Sequence, residues 1–254
     1  MATVPLLRYP GSKNQIAPWI LSHMPMADSY LEPFCGSCAV LLAKERSPIE
    51  AVNDASDDIV NLLRVLRERP DELIEQIRWT PWATAEYALA HEPAEDPLEQ
   101  ARRFYFRCWS SIRPFADSPS FRRQKVLSRG RNGDKSPMNT AARTFMRVDH
   151  LWGIAERLRG VTVEHMDAID FIQLYDHESA VFFCDPPYLL STRDNPKHYL
   201  HEMTGVDDHR RLADVLRSVK GMVLLSHYPC PEYDDWYSDW YCVTQDARID
   251  GGGS

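Results

Sequence analysis

The sequence predicts an α/β fold built on a mostly parallel β-sheet, with one helical insert. Short apolar runs bounded by turn residues recur along the chain, and amphipathic helical patterns lie between them. The loss of this alternation over roughly 75–150 predicts a second, smaller domain. With 254 residues, 44% of them hydrophobic, the chain is long enough for one sizeable core and a smaller insert.

The predicted sheet elements are six apolar runs that we expect to be buried strands. These runs are 29–34, 50–54, 160–166, 180–185, 221–227 and 240–245. The predicted helices between them are 39–46, 57–69, 167–175 and 207–219. Strands that alternate with helices in this way are typical of a parallel sheet covered by helices on both faces.

The segment 75–150 departs from that alternation. It contains an aromatic, basic and helical stretch, "LEQARRFYFRCWSSIRPF", followed by the loop-like "ADSPSFRRQKVLSRGRNGDKSPMNT". An insert in an α/β sheet is expected beside the carboxyl ends of the strands, where ligands bind. We therefore assign 75–150 to an insert domain, and 1–74 with 151–254 to the sheet domain.

The net charge of −8 is distributed very unevenly. Residues 99–147 contain 12 Lys or Arg and three acids, a net charge of +9, so the rest of the chain carries −17. A basic segment on an acidic body is typical of a surface that binds a polyanion, because phosphate contacts dominate affinity for nucleic acid. A solvated helix face is the alternative, but such faces usually mix both signs.

The composition argues against several other classes of protein. No apolar run approaches the roughly 20 residues that span a bilayer, and the N-terminus lacks a signal-peptide pattern, so we expect a soluble cytoplasmic protein. Of six cysteines, Cys35 and Cys38 form a CxxC pair, interpreted as small residues in a tight turn, with a redox pair as the alternative. No second pair completes a zinc site, and His198 and His201 are interpreted as surface residues, so we expect no metal.

The stretch "YLEPFCGSCAVLL" predicts a ligand-binding turn after the first strand. Gly36 permits a tight turn, and the helix that follows offers free amides. With one glycine instead of three, a plain strand-turn-helix is an equally good interpretation. Asp54 follows the next strand about twenty residues later, where an acid can accept from both hydroxyls of a ribose. A helix N-cap is the alternative for Asp54.

The stretch "AVFFCDPPYLLST" predicts the reactive part of the site. Asp185 ends a strand, and Pro186 and Pro187 remove two N–H donors, so the exposed groups are acceptors: the Asp185 carboxylate and the Pro186 carbonyl. Two such acceptors suit a planar amino group, and Tyr188 adds a flat face for stacking. Cys184 should point to the opposite face of the strand and into the core.

Four motifs of the sequence together resemble those of a known family. "DPPY", together with "RYPGSK" (8–13), "EPFCGSC" (32–38) and "VNDAS" (52–56), is similar to the Dam-type, or D12-class, DNA adenine-N6 methyltransferases of bacteria and phages. The order of motifs is that of the family, the region "HEMTGVDDHRRLADVLRSVKGMVLLSHY" also matches, and the resemblance covers nearly the whole chain. It implies a Rossmann-like methyltransferase sheet with a helical target-recognition insert at 75–150.

The resemblance also implies roles for single residues. Tyr9 and Lys13 would contact the cofactor S-adenosyl-L-methionine, Phe34 and Gly36 would line its methionine side, and Asp54 would hold the ribose. Asp167 would lie near the cofactor adenine; an N-cap for the following helix is the alternative. Asp185, Pro186 and Tyr188 would form the target-adenine site, with Asp185 also beside the cofactor. The candidates for DNA contact are Arg107, Arg113, Arg122, Arg123, Arg129, Arg131 and Lys135.

The implied reaction is methyl transfer to N6 of an adenine that has left the stack of double-stranded DNA. Asp185 and the Pro186 carbonyl would accept from the amino group and free its lone pair for in-line attack, with no covalent enzyme intermediate. The resemblance implies a monomer on DNA, in a bacterial cell or a phage-infected host, either as an orphan methylase or within a restriction-modification system.

Two departures from the family leave alternatives open. Cys38 stands where the family commonly has a second glycine, and no run matching the family's last, antiparallel strand follows "TQDARIDGGGS", so we expect that strand to be missing from a fragment or a degenerate end. The alternatives are a catalytically impaired DNA-binding relic, and a methylase of another amine, such as an RNA base or a protein glutamine.

Overall fold

The computed structural model describes residues 4–112, 114–115, 119–123, 140–192, 203 and 205–246. The chain divides into two compact units. We call Pro10–Ser56 with Val161–Ser254 the sheet unit, and Met1–Tyr9 with Asp57–Gly160 the helical unit. These units divide the chain at different residues from the predicted segments, because the helix after the second strand packs within the helical unit. The assignment of 75–150 to DNA recognition stays a prediction.

The strands of the described residues form one large and one small sheet. They are β1 (Ser29–Glu32), β2 (Ile49–Asn53), β3 (Ser111–Ile112), β4 (Ser120–Phe121), β5 (Thr162–Glu164), β6 (Ala180–Cys184) and β7 (Met222–Leu225). The large sheet has the order β5-β2-β1-β6-β7, and all of its neighbours are parallel. The predicted parallel sheet is thus confirmed, and β3 and β4 form a short antiparallel hairpin in the helical unit.

The helices of the described residues follow the same chain order. They are α1 (Ala17–Ser22), α2 (Ala39–Ala43), α3 (Asp57–Glu68), α4 (Pro70–Trp79), α5 (Thr84–Leu89), α6 (Pro97–Ser110), α7 (Ala141–Phe145), α8 (His150–Leu158), α9 (Ala168–Tyr175), α10 (Val206–Leu216) and α11 (Pro231–Trp236). A 3-10 turn spans Leu190–Thr192. None of the described helices is both long and apolar enough to cross a bilayer.

The core of the sheet unit forms around its two central strands. All five residues of β6 are buried, as expected for an apolar, β-branched and aromatic run with strands on both sides. Leu31 of β1 lies opposite Phe182 of β6, and both belong to an apolar cluster with residues of α9 and α10. Cys184 is fully buried in this cluster, which confirms its predicted place in the core.

The predicted strand 240–245 is wrong. These residues adopt no strand, and within the described part of the chain the large sheet has five strands where the sequence predicts six. The amide of Trp240 donates to the carbonyl of Tyr237, so the run begins inside the turn that ends α11. Tyr241 is 90% exposed, so the apolar residues of this run do not form the buried face that a strand would need.

The helical unit is organised around α6, which contacts α3, α4, α5 and α7. Asp96 caps the helix by accepting from the amide of Leu98, and Pro97 occupies the first helical position, where a proline costs no hydrogen bond. Phe104, Phe106 and Trp109 of α6 are almost fully buried. The aromatic stretch that the sequence predicts to be helical is therefore confirmed over most of its length.

Candidate active site

The candidate site lies at the carboxyl edge of the parallel sheet, where the central strands end. The chain runs from β1 outward through β2 to β5, and then returns to the other side of β1 as β6. The loops that leave β1 and β6 therefore turn in opposite directions. In open α/β sheets this divergence is the usual position of a ligand crevice.

The loop after β1 is a tight turn held by main-chain hydrogen bonds. The amide of Cys38 donates to the carbonyl of Cys35 over 2.7 Å, and the amide of Cys35 donates to the carbonyl of Asn53 over 2.9 Å. Gly36 has a φ of 47° and Cys38 a φ of 53°. Cys38 is the only residue other than glycine with a positive φ in the part of the chain that the structure describes. This conformation costs glycine little and strains cysteine.

Cys35 and Cys38 are both free, buried thiols. A hydrogen bond with the Cys38 side chain, together with burial, raises the pKa of Cys35 well above its ordinary value. Because the thiolate is the reactive form, these surroundings disfavour thiol chemistry. The structure therefore favours the interpretation of the pair as small residues that fill a tight turn.

Glu32, the last residue of β1, is a buried carboxylate that the sequence analysis missed. It is only 2% exposed; its Oε1 accepts from the amide of Leu41 over 2.8 Å and from the hydroxyl of Tyr30. Leu41 lies in the first turn of α2, so Glu32 caps that helix from the strand. Burial raises the pKa of Glu32 to about 7. An acid at the end of an otherwise apolar strand is the signal that could have identified it.

Asp54 ties the loop after β2 to the loop after β1. Its Oδ2 accepts from the amide of Gly36 over 2.8 Å, and its Oδ1 accepts from the amide of Ser56 over 2.9 Å. The carboxylate thus fixes the turn at its glycine.

The "PGSK" stretch brings the N-terminal motif to the same edge of the sheet. The hydroxyls of Ser12 and Ser37 lie 2.7 Å apart, which joins this stretch to the turn after β1. The Lys13 ammonium donates to Asp185 Oδ2 over 2.6 Å and to the carbonyl of Gly11 over 2.7 Å. Two motifs that are 172 positions apart in sequence therefore meet in an ion pair, with little of either side chain exposed.

The loop after β6 holds Asp185 by both of its carboxylate oxygens. Oδ2 accepts from Lys13, and Oδ1 accepts from the hydroxyl of Tyr188 over 3.1 Å. Tyr188 is 7% exposed, and burial, with the charge of Asp185 next, raises the pKa of its hydroxyl far above the ordinary value. The predicted stacking role of Tyr188 stays a prediction. What the structure adds is a hydrogen bond from its hydroxyl to the carboxylate.

The loop after β7 adds two residues that the sequence analysis did not assign to the site. Ser226 donates its amide to the carbonyl of Cys184 over 2.9 Å, and its hydroxyl lies 3.0 Å from the hydroxyl of Tyr188. The rings of Tyr188 and Tyr228 meet edge to face, with centroids 4.7 Å apart. The signal was available in sequence, since "SHY" directly follows a predicted strand.

Comparison with known proteins decides which family this site belongs to. A model of the D12 class N6 adenine-specific DNA methyltransferases matches residues 9–249, nearly the whole chain. This chain is a member of the D12 class. The match includes in full three of the four motifs on which the sequence resemblance rests, and "RYPGSK" from Tyr9 onward.

Two relatives are methyltransferases by name. The type II methyltransferase M1.LlaDCHI of Lactococcus lactis subsp. cremoris is 25% identical over 274 residues, which cover 93% of this chain and 85% of the relative. The Retron Ec67 DNA adenine methylase of Escherichia coli is 32% identical over 73 residues, which cover 29% of this chain and 25% of the relative.

Asp167 of this methyltransferase is a helix cap. Its Oδ1 accepts from the amides of Ile169, over 2.9 Å, and Asp170, over 3.4 Å, so the N-cap interpretation holds. Asn53 binds the preceding loop, because its side chain accepts from the Met166 amide and donates to the Met166 carbonyl. Contact between Asp167 and a cofactor adenine stays a prediction.

The other predicted cofactor residues lie in different units. Phe34 is half-buried and packs against the apolar cluster of the sheet unit. Tyr9 belongs to the helical unit, where its ring centroid lies 5.2 Å from that of Phe115. Their contacts with a cofactor stay predictions.

Three of the predicted DNA-contacting residues of the methyltransferase are described. Arg107 donates to Asp58 over 2.7 Å within the helical unit. Arg122 donates to the carbonyl of Ser111, and burial, with the charge of Arg8, lowers its pKa to about 10. Arg123 is exposed and lies 5.7 Å from the ring centroid of Phe121. Four others lie outside the described residues, as do His198 and His201: Arg113, Arg129, Arg131 and Lys135.

No group of three His, Cys, Asp or Glu side chains comes close enough to hold a metal ion among the residues that the structure describes. The cluster of polar groups at the sheet edge is instead a set of carboxylates, hydroxyls and one ammonium. Such a set suits an organic ligand with hydroxyl and amino groups.

Proposed function

We propose that this protein transfers a methyl group from S-adenosyl-L-methionine to N6 of an adenine that has been turned out of duplex DNA. Membership of the D12 class supports methylation of adenine in DNA. The observation that carries the finer proposal is the Asp185 carboxylate at the end of β6, which holds a nitrogen donor 2.6 Å from its Oδ2.

The loops after β1 and β2 fit the methyl donor. S-adenosylmethionine supplies an electrophilic methyl group on a positively charged sulfur, attached to a ribose with two hydroxyls. Asp54 is fixed between the amides of Gly36 and Ser56 at this edge of the sheet, and a carboxylate there suits the hydroxyls of a ribose. The turn from Phe34 to Cys38, which leads into the Glu32-capped helix α2, is the part of the loop that we expect to lie beside the methionine end.

The loop after β6 fits the acceptor. We expect the adenine N6 amino group to donate to Asp185, with the Pro186 carbonyl as the second acceptor, since neither proline offers an N–H that would compete. Tyr188 and Tyr228 add aromatic surface beside this carboxylate. Extrusion of the base costs a few kcal/mol, which stacking of roughly 1–3 kcal/mol and these hydrogen bonds offset.

The residues at Asp185 then shape the transfer. Hydrogen bonds to both N6 protons draw the nitrogen toward tetrahedral geometry, which localises its lone pair. The lone pair forms the new N–C bond as the C–S bond breaks, and the surplus N6 proton leaves through Asp185 to solvent. Buried groups around Asp185 are already oriented, so little reorganisation is needed during the step.

Duplex DNA is the substrate that the charge distribution supports. The segment 99–147 carries +9, and the exposed Arg123 lies in it. An RNA base or a protein glutamine as substrate would not require this basic segment. The charge therefore favours DNA over these two alternatives.

The test compares Asp185→Asn with Glu178→Gln. Glu178 is an exposed carboxylate near the opposite end of the same strand, so it controls for loss of one negative charge. We expect Asp185→Asn to lower methyl transfer to duplex DNA at least about 10²-fold, and Glu178→Gln to leave it unchanged. The affinity for S-adenosylmethionine, measured by calorimetry, should survive in both variants.

Three other results would each point elsewhere. Transfer by Asp185→Asn at the wild-type rate would contradict the role of this carboxylate. DNA binding by the wild type without transfer or cofactor binding would identify a DNA-binding relic. Transfer to RNA or protein in preference to duplex DNA would identify a methylase of another amine.

A further inference from the structure

A short ion pair of the sheet unit, Lys13 with Asp185, lies inside the proposed acceptor site. The Lys13 ammonium is nearly buried and lies 2.6 Å from Asp185 Oδ2, 2.7 Å from the Gly11 carbonyl and 5.2 Å from the centroid of the Tyr188 ring. Two acceptors and an aromatic ring thus surround one nitrogen atom. An exocyclic amino group of a base would need the same kind of surroundings.

Only one oxygen of Asp185, Oδ2, can exchange its hydrogen-bond partner for a base without disrupting the loop after β6. Oδ1 accepts from Tyr188, whose hydroxyl is also held by Ser226 and whose ring packs against Tyr228. Oδ2 accepts from Lys13, a long flexible side chain that can keep its charged end in water when it moves. The position that N6 needs is therefore the position that Lys13 occupies.

We propose, on the basis of the proposed function, that the Lys13 ammonium is a competitor for the amino-group site, which it fills until the target adenine displaces it. In this exchange the partly buried carboxylate passes from one N–H donor to another and is never left unpaired, a state that desolvation disfavours. An ammonium is a stronger donor to a carboxylate than a neutral amine. An incoming base must therefore bind at Asp185 strongly enough to displace the Lys13 ammonium.

Whether a base can displace Lys13 depends on the functional group that the base presents to Asp185. A base with an amino group offers N–H donors to Asp185 and can replace Lys13. A base with a carbonyl at the same position offers only an acceptor, which a carboxylate repels, and the ammonium stays in place. The Asp185 carboxylate thus rejects oxo bases whether or not Lys13 is present, and only bases with an amino group compete with Lys13.

The test is binding of matched duplexes to Lys13→Met in the presence of S-adenosylhomocysteine. One duplex carries the target adenine at a site mapped from wild-type methylation, and the other carries hypoxanthine there, with a carbonyl in place of the amino group. The control is Lys44→Met, which also removes a buried lysine–carboxylate pair, Lys44 with Glu50 at 2.8 Å, and one positive charge.

We expect Lys13→Met to bind the adenine duplex roughly three- to tenfold more tightly than Lys44→Met does, because the competent fraction of sites rises when the competitor is gone. The hypoxanthine duplex should bind both variants equally. S-adenosylhomocysteine should bind both with the wild-type dissociation constant.

Each other result overturns the inference. Equal changes for both duplexes would show that Lys13 acts on DNA through its charge alone, and no change would show that it does not compete with the base. Weaker binding of S-adenosylhomocysteine by Lys13→Met would make Lys13 a cofactor ligand, as the family resemblance implies. Absence of methyl transfer by the wild type, in contrast, would be the failure of the proposed function.

Discussion

At the scale of single residues, the site depends on how each oxygen of Asp185 is occupied. A phenol has one proton, so if Tyr188 donates to Asp185 Oδ1, then Ser226 must donate to the phenol oxygen. Ser226 therefore holds Tyr188, and Tyr188 holds the carboxylate. This chain of hydrogen bonds makes Ser226 a positioning residue that acts on Asp185 only through Tyr188.

Ser226→Ala should lower the rate of methyl transfer roughly fivefold, the effect of losing one hydrogen bond worth about 1 kcal/mol. The reason is that Tyr188 loses the partner that orients its hydroxyl. In a Tyr188→Phe background, Ser226→Ala should have no further effect on the rate, because the phenol is already gone. Ser218→Ala, which removes an exposed serine hydroxyl, is the control and should not change the rate. Additive effects of Ser226→Ala and Tyr188→Phe would rule out this chain.

Glu32 makes stability depend on pH near neutrality. Its folded-state pKa of about 7 lies above the ordinary 4.5, so the stabilising contribution is complete below about pH 4.5 and is lost as the pH rises through 7. Glu32→Gln removes the titration. The free energy of unfolding of the wild type, relative to Glu32→Gln, should fall between pH 5 and pH 8 by at most about 3 kcal/mol.

Urea unfolding of both proteins at the two pH values measures this difference. Glu178→Gln, which removes an exposed carboxylate, should follow the wild type at both. A gap between wild type and Glu32→Gln that stays constant from pH 5 to pH 8 would contradict a folded-state pKa near 7 for Glu32.

At the scale of elements, the turn between β1 and α2 is where sequence and backbone conflict. Cys38 is fully buried at a φ of 53°, a conformation that favours glycine. The family commonly has glycine at this position, and the backbone angle supplies the physical reason. The buried thiol fills space that a glycine would leave, so its burial opposes the backbone strain.

Cys38→Gly should destabilise the protein less than Cys38→Ala, by about 1 kcal/mol, since both remove the thiol but only alanine keeps the strained Cβ. Cys184 provides the matched comparison because it is equally buried but lies in β6. There the order should reverse, with Cys184→Gly less stable than Cys184→Ala, because glycine weakens a strand. Thermal or urea unfolding of the four variants gives the answer; the same order at both positions would contradict it.

The strands of the large sheet follow from the sequence, but one further predicted strand and one helix end do not agree with the structure. Five strands were predictable because each lies in an apolar run that ends at a turn signal, although β5 and β7 are not buried as the sequence predicts. The run 240–245 has the same composition, yet Tyr241 is exposed; composition does not reveal whether a neighbouring strand is there to pair with. The C-terminal end of α2, predicted at residue 46, is wrong, because Lys44 leaves the helix and pairs with Glu50.

The site was predictable to the extent that its residues follow strands. Asp54 and Asp185 were found because an acid after an apolar run is visible in sequence. The pairing of Lys13 with Asp185, and the bond of Ser226 to Tyr188, join residues 172 and 38 positions apart. Such contacts depend on strand order, which local patterns do not specify.

At the scale of the whole molecule, the uneven charge is the feature that bears on DNA. The segment 99–147 carries +9 in a chain of −8. Part of that charge is used internally: Arg102 pairs with Glu86 and Glu99, and Arg107 with Asp58. Of the predicted DNA-contacting residues that the structure describes, Arg123 is the exposed one, so it is the best of these candidates for a phosphate contact.

Arg123→Ala should weaken DNA binding and reduce the slope of log affinity against log salt concentration by about 0.9, the value for one phosphate contact. Arg159→Ala, an exposed arginine of the helical unit that pairs with Glu156 outside the basic segment, should leave the slope unchanged. Titrations at several salt concentrations between about 50 and 200 mM measure it. An unchanged slope for Arg123→Ala would exclude Arg123 from the phosphate contacts.

The central claim is that Asp185 directs a methyl group to N6 of adenine in duplex DNA. The most direct measurement incubates the protein with methyl-labelled S-adenosylmethionine and unmethylated duplex DNA, then digests the DNA to nucleosides. We expect all of the label to elute as N6-methyldeoxyadenosine, and we expect Asp185→Asn to yield no labelled nucleoside. Label in any other nucleoside, or equal labelling by Asp185→Asn, would contradict it.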